Sequence, residues 1–247
     1  MDDKILLNHA EDLARKAAKK GFAASKFLSP AEAETIRQYF ANRKDVTVAF
    51  DGGFPSAERV IAVFSNPDWG EYDRGGLLTA LRISHRPQDT IGHRDVLGAL
   101  MNLGIVRETV GDISVDPAPA VLVCLSEIAE FILQNLTRIG RVGVTAAQIP
   151  LSSLPEKEEN IEVKSITVPS LRLDAVISGA FNISRTTAAE AITAGRVALN
   201  HAECLKPDKE LTEGALFSVR GIGRARILAV GGKSRKDRLR VDVGIYM

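Results

Sequence analysis

The sequence predicts an α+β chain of three consecutive modules, and three observations carry that reading. Runs with helical apolar spacing and runs with strand character occur in mixed order. A stretch rich in Pro, Ser and Glu interrupts them at residues 151–168. The charge also changes sign there. Residues 169–247 hold thirteen Lys and Arg against eight Asp and Glu, a net of +5 that leaves −4 for residues 1–168. The expected modules are an N-terminal mixed α/β segment over 1–76, a central unit over 77–150, a linker over 151–168 and a basic module over 169–247.

In the first segment Leu6, Leu13 and Ala17 form a helical stripe among Lys16, Lys19 and Lys20. Ser29-Pro30 starts a second helix, with the hydroxyl as N-cap and proline at the first position. Thr47–Phe50 and Val60–Phe64 read as strands, the first stopped by a turn at Asp51-Gly52-Gly53, and Pro67–Gly70 reads as a loop.

The central unit is clearer. Leu78–Ile83 is a strand, and Arg94–Leu103 is a helix ended by Gly104. Thr109–Val115 and Ala120–Leu125 are strands around Asp116-Pro117-Ala118-Pro119. Ser126 is expected to cap a helix through Leu136, with Ile128, Phe131, Ile132 and Leu136 at helical spacing. Val142–Ile149 closes as a strand. The order strand–helix–strand–strand–helix–strand is that of a ferredoxin-like domain, which RNA-binding and metabolic proteins share.

The linker follows Pro150 and contains Pro155 and Glu156-Lys157-Glu158-Glu159, with a short strand at its end over Val163–Val168. The basic module then opens with two short helices. Leu171, Ala175 and Val176 line the first. Ser184 caps the second, Ala188, Ala191 and Ile192 bury it, and Gly195 ends it in the left-handed conformation that glycine adopts cheaply. Arg185 lies in the first turn and Arg196 just past the last, so Arg172, Arg185 and Arg196 are expected to form one guanidinium cluster gripping phosphates. Gly214–Gly221 is a strand, and Gly221-Ile222-Gly223 is expected to bring the backbone close to a ligand. A final hairpin, Ile227–Val230 with Leu239–Ile245, carries Lys233, Arg235 and Lys236 in its loop.

Arg172-Leu173-Asp174, Ser184-Arg185-Thr186-Thr187-Ala188 and Gly195-Arg196-Val197-Ala198-Leu199-Asn200 resemble the S-four type RNA-binding domain, named for the fourth small-subunit ribosomal protein. Leu199 stands where that pattern has Val. The resemblance implies an RNA-binding set of Arg172, Ser184, Arg185, Thr186, Arg196 and Asn200, extended along the following strands by Arg220, Arg224, Arg226, Lys233, Arg235 and Lys236. Pseudouridine synthases carry a catalytic Asp in an Arg-Leu-Asp context. Their catalytic domain follows this module, whereas only about 50 residues follow it here, so Asp174 reads as the partner of a nearby Arg.

A broader resemblance runs over residues 25 to 240. Asp51-Gly52-Gly53-Phe54-Pro55, Ala57-Glu58-Arg59, Gly92-His93-Arg94-Asp95, Gly104-Ile105, Arg107, Gly111-Asp112-Ile113 and Arg220-Gly221-Ile222-Gly223-Arg224 are similar to the bacterial YlmH family. That resemblance implies a cytoplasmic ribosome factor whose partners are structured RNA (rRNA or tRNA) and the large subunit, acting in quality control or rescue of stalled subunits. An RNA-binding scaffold with a cell-division or photosystem role is the alternative. Arg94 and Arg107 are candidates for a second RNA surface, against a reading in which they hold Asp95 and Asp112.

Composition narrows the classes. At 247 residues, with 45% hydrophobic and 26% charged residues, the chain matches an ordinary globular protein. Its apolar runs fall short of the roughly 20 residues needed to cross a bilayer. Met1-Asp2-Asp3-Lys4 does not resemble a secretory signal, so a cytoplasmic setting is expected. The two cysteines, Cys124 and Cys204, and the four histidines form no metal-ligand spacing. With no Gly-rich phosphate loop, the expectation is a protein without catalytic residues, metal, cofactor, membrane contact or small-molecule substrate.

Overall fold

A computed structural model describes residues 3–54, 57–66, 74–115, 119–154, 161–233 and 238–246; of these, the side chains of 74, 75 and 233 are left aside. The chain divides into two compact units, Met1–Lys157 and Glu158–Met247.

The first unit opens with α1 (Asp3–Lys20), β1 (Phe22–Ala24), α2 (Pro30–Phe40), β2 (Thr47–Asp51) and β3 (Ile61–Ser65). Leu6, Ala10, Leu13, Ala14 and Ala17 bury one face of α1, the stripe that the spacing predicts. Ser29 caps α2 in a reciprocal box: its side chain accepts from Glu32 N, and Ser29 N donates to the Glu32 carboxylate at 2.9 Å. The sheet order is β1-β3-β2, all antiparallel. The three-residue β1 is absent from the sequence reading because it is too short for a period to show.

The chain continues with α3 (Arg74–Leu77), β4 (Leu78–Ser84), α4 (His93–Asn102), β5 (Val110–Ser114), β6 (Ala120–Leu125), α5 (Ser126–Asn135), a small hairpin of β7 (Arg138–Ile139) and β8 (Val142–Gly143), and β9 (Thr145–Ile149). The four long strands form a sheet of order β5-β6-β4-β9 with antiparallel neighbours. Two expectations need correction. Val142–Ile149 is two strands, because Val142 and Gly143 turn back on β7 while Thr145 starts pairing with β4. Ser126 is the first helical residue, not the cap; its hydroxyl bonds Thr79 Oγ1 at 2.9 Å. Gly111-Asp112 lies within β5, inside the strand expected over Thr109–Val115. The loop expected at Pro67–Gly70, the Asp116–Ala118 turn and the Glu156–Glu159 run lie outside the described residues.

Strand β3 is buried on both faces, which explains its unbroken Ile-Ala-Val-Phe run. Ala62 and Phe64 pack with α1 and α2, while Ile61 and Val63 pack with Phe27, Phe54, Leu78, Ala80, Val121 and Val123. The central sheet therefore has its helices on one face and the N-terminal segment on the other.

The second unit comprises β10 (Ile161–Val168), α6 (Leu173–Phe181), α7 (Arg185–Thr193), β11 (Val197–Leu199), β12 (Ala202–Glu203), β13 (Leu216–Val219), β14 (Gly223–Lys233) and β15 (Leu239–Tyr246). Residues expected as the end of a linker form β10, an eight-residue strand at one end of a sheet of order β10-β15-β14-β13-β11-β12. Ile166 and Val168 are buried beneath α6 with exposed Thr167 between them, the alternation of the strand expected over Val163–Val168, which extends back to Ile161. Both helices pack on the same face of this sheet, over Phe217, Ala225, Ile227, Val241 and Val243.

Candidate nucleic-acid interface

The start of α6 is tied to the chain before β13: Leu173 N donates to Lys209 O at 2.9 Å and Asp174 N to Pro207 O at 3.0 Å. Asn182, at φ 58°, ends α6 in the left-handed region and lets the chain reverse. Ser184 then caps α7, accepting from Thr187 N at 3.0 Å. This reversal brings Arg185 back to Asp174. The Asp174 carboxylate accepts Arg172 Nε at 3.2 Å and Nη2 at 3.3 Å, and Arg185 Nη2 at 2.9 Å and Nε at 3.3 Å. Ala175 N also donates to it, at 2.8 Å.

The carboxylate is buried, with 8% of its side chain exposed, while Arg172 and Arg185 are 40% and 49% exposed. Burial pushes the Asp174 carboxyl up, but the hydrogen bonds and charges of Arg172 and Arg185 outweigh it and hold the group below the usual carboxylate range. Asp174 in turn raises the Arg172 guanidinium. One buried anion thus orders two cations. The four bonds use only the Nε and Nη2 groups of each fork, and the Nη1 edge can meet a phosphate.

Arg196 does not join this pair. The nine-residue helix α7 separates the two arginines, and at about 1.5 Å rise per residue it spans roughly 14 Å. Arg196 instead lines a concavity of about 370 Å³ with Gly195, Ala198, Glu203, Ser218 and Arg220. The expected three-arginine cluster is therefore two sites. Gly195 does adopt φ +68°.

Asn200 has a structural role. With His201 it forms the two-residue turn between β11 and β12, both at positive φ, and its Oδ1 accepts Leu216 N at 2.9 Å. Ser184 spends its oxygen on the cap; Thr186 is exposed on the first turn of α7. Gly221, at φ +80°, turns the chain between β13 and β14, and a Cβ on Gly223 would meet the Phe181 ring at 2.9 Å. These glycines serve a hairpin and a packing contact. Arg224 and Arg226 stand 4.9 and 5.9 Å from the ring centre of Tyr246, a residue the sequence reading missed. The Lys233 side chain, Arg235 and Lys236 lie outside the described residues.

In the first unit Arg94 is exposed on α4, whereas Arg107 turns inward. Its Nη1 donates to Val110 O and, at 3.2 Å, to Gly111 O. Arg59 joins it, donating to Val110 O and Phe27 O at 3.2 Å each. Burial lowers both guanidinium pKa values. Asp112 accepts Glu58 N at 2.7 Å and Arg59 N at 3.1 Å, and a Cβ on Gly111 would meet the Phe27 ring at 2.6 Å. Arg59 and Asp112 therefore join the N-terminal segment to β5, and Arg107 braces the start of β5. Asp95 accepts Gly92 N at 2.8 Å, at the start of α4. The sheet face on which RNA-recognition domains stack bases is here buried beneath Phe27, Phe54, Ile61 and Val63.

Among the described residues no cluster of three or more His, Cys, Asp and Glu could hold a metal, and no helix is long and apolar enough to cross a membrane. The domains define a class: residues 81–153 match the family model described as "Putative RNA-binding domain in YlmH", and residues 4–68 match "YlmH, N-terminal". A relative from Bacillus subtilis (strain 168), "Ribosome-associated protein quality control protein P2", is 32% identical over 220 residues, which are 87% of this chain and 84% of that protein. The chain belongs to the YlmH family. A solved structure, "Cell division protein ylmH from Streptococcus pneumoniae", has a like fold with TM-score 0.52 and 22% identity, over 62% of this chain and 93% of that one.

Proposed function

We propose that this chain is a cytoplasmic, non-catalytic RNA-binding protein that associates with ribosomal or transfer RNA on the large ribosomal subunit, in ribosome-associated quality control. The observation that carries the reading is the pair of guanidiniums ordered by Asp174. Two half-exposed arginines held by one buried carboxylate are pre-organised for phosphate, so less side-chain entropy is lost on binding. The +5 balance of residues 169–247 favours the same polyanion. The B. subtilis relative's name supports ribosome association, and the description of residues 81–153 supports RNA contact.

The strand order β5-β6-β4-β9 supports a ferredoxin-like central domain, and the α6–α7 pair with its Arg-Leu-Asp start supports an S-four type module. In the central domain the buried sheet face leaves RNA to the exposed helix side, where Arg94 stands. Asp174 already accepts five hydrogen bonds, which favours a binding role over a catalytic one.

Co-sedimentation with purified bacterial large subunits tests the proposal. The protein should pellet with the subunits at low salt and be released as salt rises, with a log–log slope of about −0.7 to −0.9 per phosphate contact. Mass spectrometry of the recovered rRNA should show no new modification. Failure to pellet at low salt, or a modified nucleotide, would overturn the reading.

A further inference from the structure

In the six-stranded sheet of the second unit, α6 and α7 pack on the face of Ile166, Phe217, Ala225 and Val241. Alternation along the strands turns Val163, Arg224, Arg226, Leu228 and Tyr246 to the opposite face. There Val163 is 63% and Leu228 41% exposed. The register lines up one row across five strands: Tyr246 pairs with Ile161 and Arg224, and Ser218 pairs with Arg224 and Ala198. With neighbouring strands about 4.8 Å apart, the row from Tyr246 to Ala198 runs roughly 14 Å. It ends at the concavity that Arg196 and Arg220 line.

The chemistry along this row is that of a stacking platform between cations. The Arg224 and Arg226 guanidiniums stand over the Tyr246 ring, a cation–π arrangement in which a base displaces or extends the stack, and Arg220 and Arg196 stand at the far end. Two acids border it: Asp242 accepts the Ser165 hydroxyl, and Glu203 lies so near Gly195 that a Cβ there would meet its Oε1 at 2.2 Å. An aromatic ring among arginines suits unpaired bases, because every base offers a π-face and carries its own phosphate.

We propose that this sheet face is a path for single-stranded RNA, in which Tyr246 stacks on a base, Arg224 and Arg226 hold the adjoining backbone and the Arg196–Arg220 concavity takes a phosphate. The proposal rests on the RNA-binding reading above and adds base contact to it. The Arg172–Arg185 pair holds phosphates of folded RNA, and the sheet holds an unpaired segment beside it.

The test is fluorescence anisotropy of the full chain with 5′-fluorescein decauridine and with an abasic decamer of the same phosphate count. Tyr246→Ala should weaken decauridine binding about ten-fold or more, the scale of one lost base stack, and leave the abasic decamer unchanged. Tyr246→Phe should recover most of the loss, since the ring face remains. Arg224→Gln should weaken both decamers, since it removes a charge that holds the backbone whether or not a base is present. Melting curves accompany each variant, and Arg224→Gln with Tyr246→Phe carries the test should Tyr246→Ala melt early. Wild-type decauridine affinity in Tyr246→Ala, or an equal loss on the abasic decamer, overturns the stacking path. No decauridine binding by the wild type, with large-subunit pelleting intact, overturns the path while the RNA-binding reading stands. Loss of both overturns that reading as well.

Discussion

Asp174 and Arg185, eleven residues apart in sequence, meet at 2.9 Å because α6 ends at a left-handed Asn182 and α7 starts at a Ser184 cap. In the proposed function the contact links the fold of the module to RNA binding. The bond that holds the two helix starts together also aims a guanidinium outward. Variants at Asp174 should therefore act on stability first, and variants at Arg185 on binding first.

Asp174→Asn should lower the melting temperature at pH 7, at a cost of about 1–3 kcal/mol for hydrogen bonds to charged groups. Its folded pKa lies below the ordinary value, so the carboxylate's contribution is complete above the ordinary carboxylate range and is lost as pH falls through the lowered value. The stability difference between wild type and variant should be full at pH 7 and shrink from about pH 4 downward. Urea unfolding across pH 7 to pH 3 checks this; a constant difference would contradict it.

Arg107→Ala should destabilise the first unit, by about 1–3 kcal/mol, because a half-buried cation would release the carbonyls of Val110 and Gly111. Arg94→Glu should leave the melting curve in place and weaken co-sedimentation with large subunits. Calorimetry beside sedimentation separates the two. An unaltered melting curve for Arg107→Ala would restore the two arginines as a common surface.

Much of the module was legible in the sequence, and the reasons differ by residue. Helices α6 and α7 follow from apolar spacing, Ser184 and Gly195, and the pairing of Asp174 with an arginine follows from Arg-Leu-Asp. Its second partner depends on a chain reversal that no spacing encodes. Arg107 looked like a surface cation because its acceptors are backbone carbonyls, which carry no sequence signature. Tyr246 was invisible for another reason: its place beside Arg224 depends on the register of β14 with β15, and two irregularities interrupt that pairing.

Cys124 is fully buried and its thiol is pushed up to about 12 by burial, whereas Cys204 is partly exposed. A thiol-specific chromogenic reagent at pH 8 should count one fast cysteine in the native protein and both after denaturation. Two fast thiols in the native state would show that the central sheet opens.

Arg185→Ala and Arg185→Lys, assayed for affinity to purified large ribosomal subunits beside a melting curve, test the central claim most directly. Loss of the guanidinium should weaken binding by about 1–3 kcal/mol, the range of charge-assisted hydrogen bonds. Lysine should restore only part, since it keeps the charge without the planar fork. Folding should change less than in Asp174→Asn, as Arg172 and Ala175 N still hold the Asp174 carboxylate. Adding Arg196→Ala should give a further, additive loss, because α7 keeps the two arginines on separate phosphates. Wild-type affinity in Arg185→Ala with an intact fold would contradict the Asp174-ordered pair as the RNA contact.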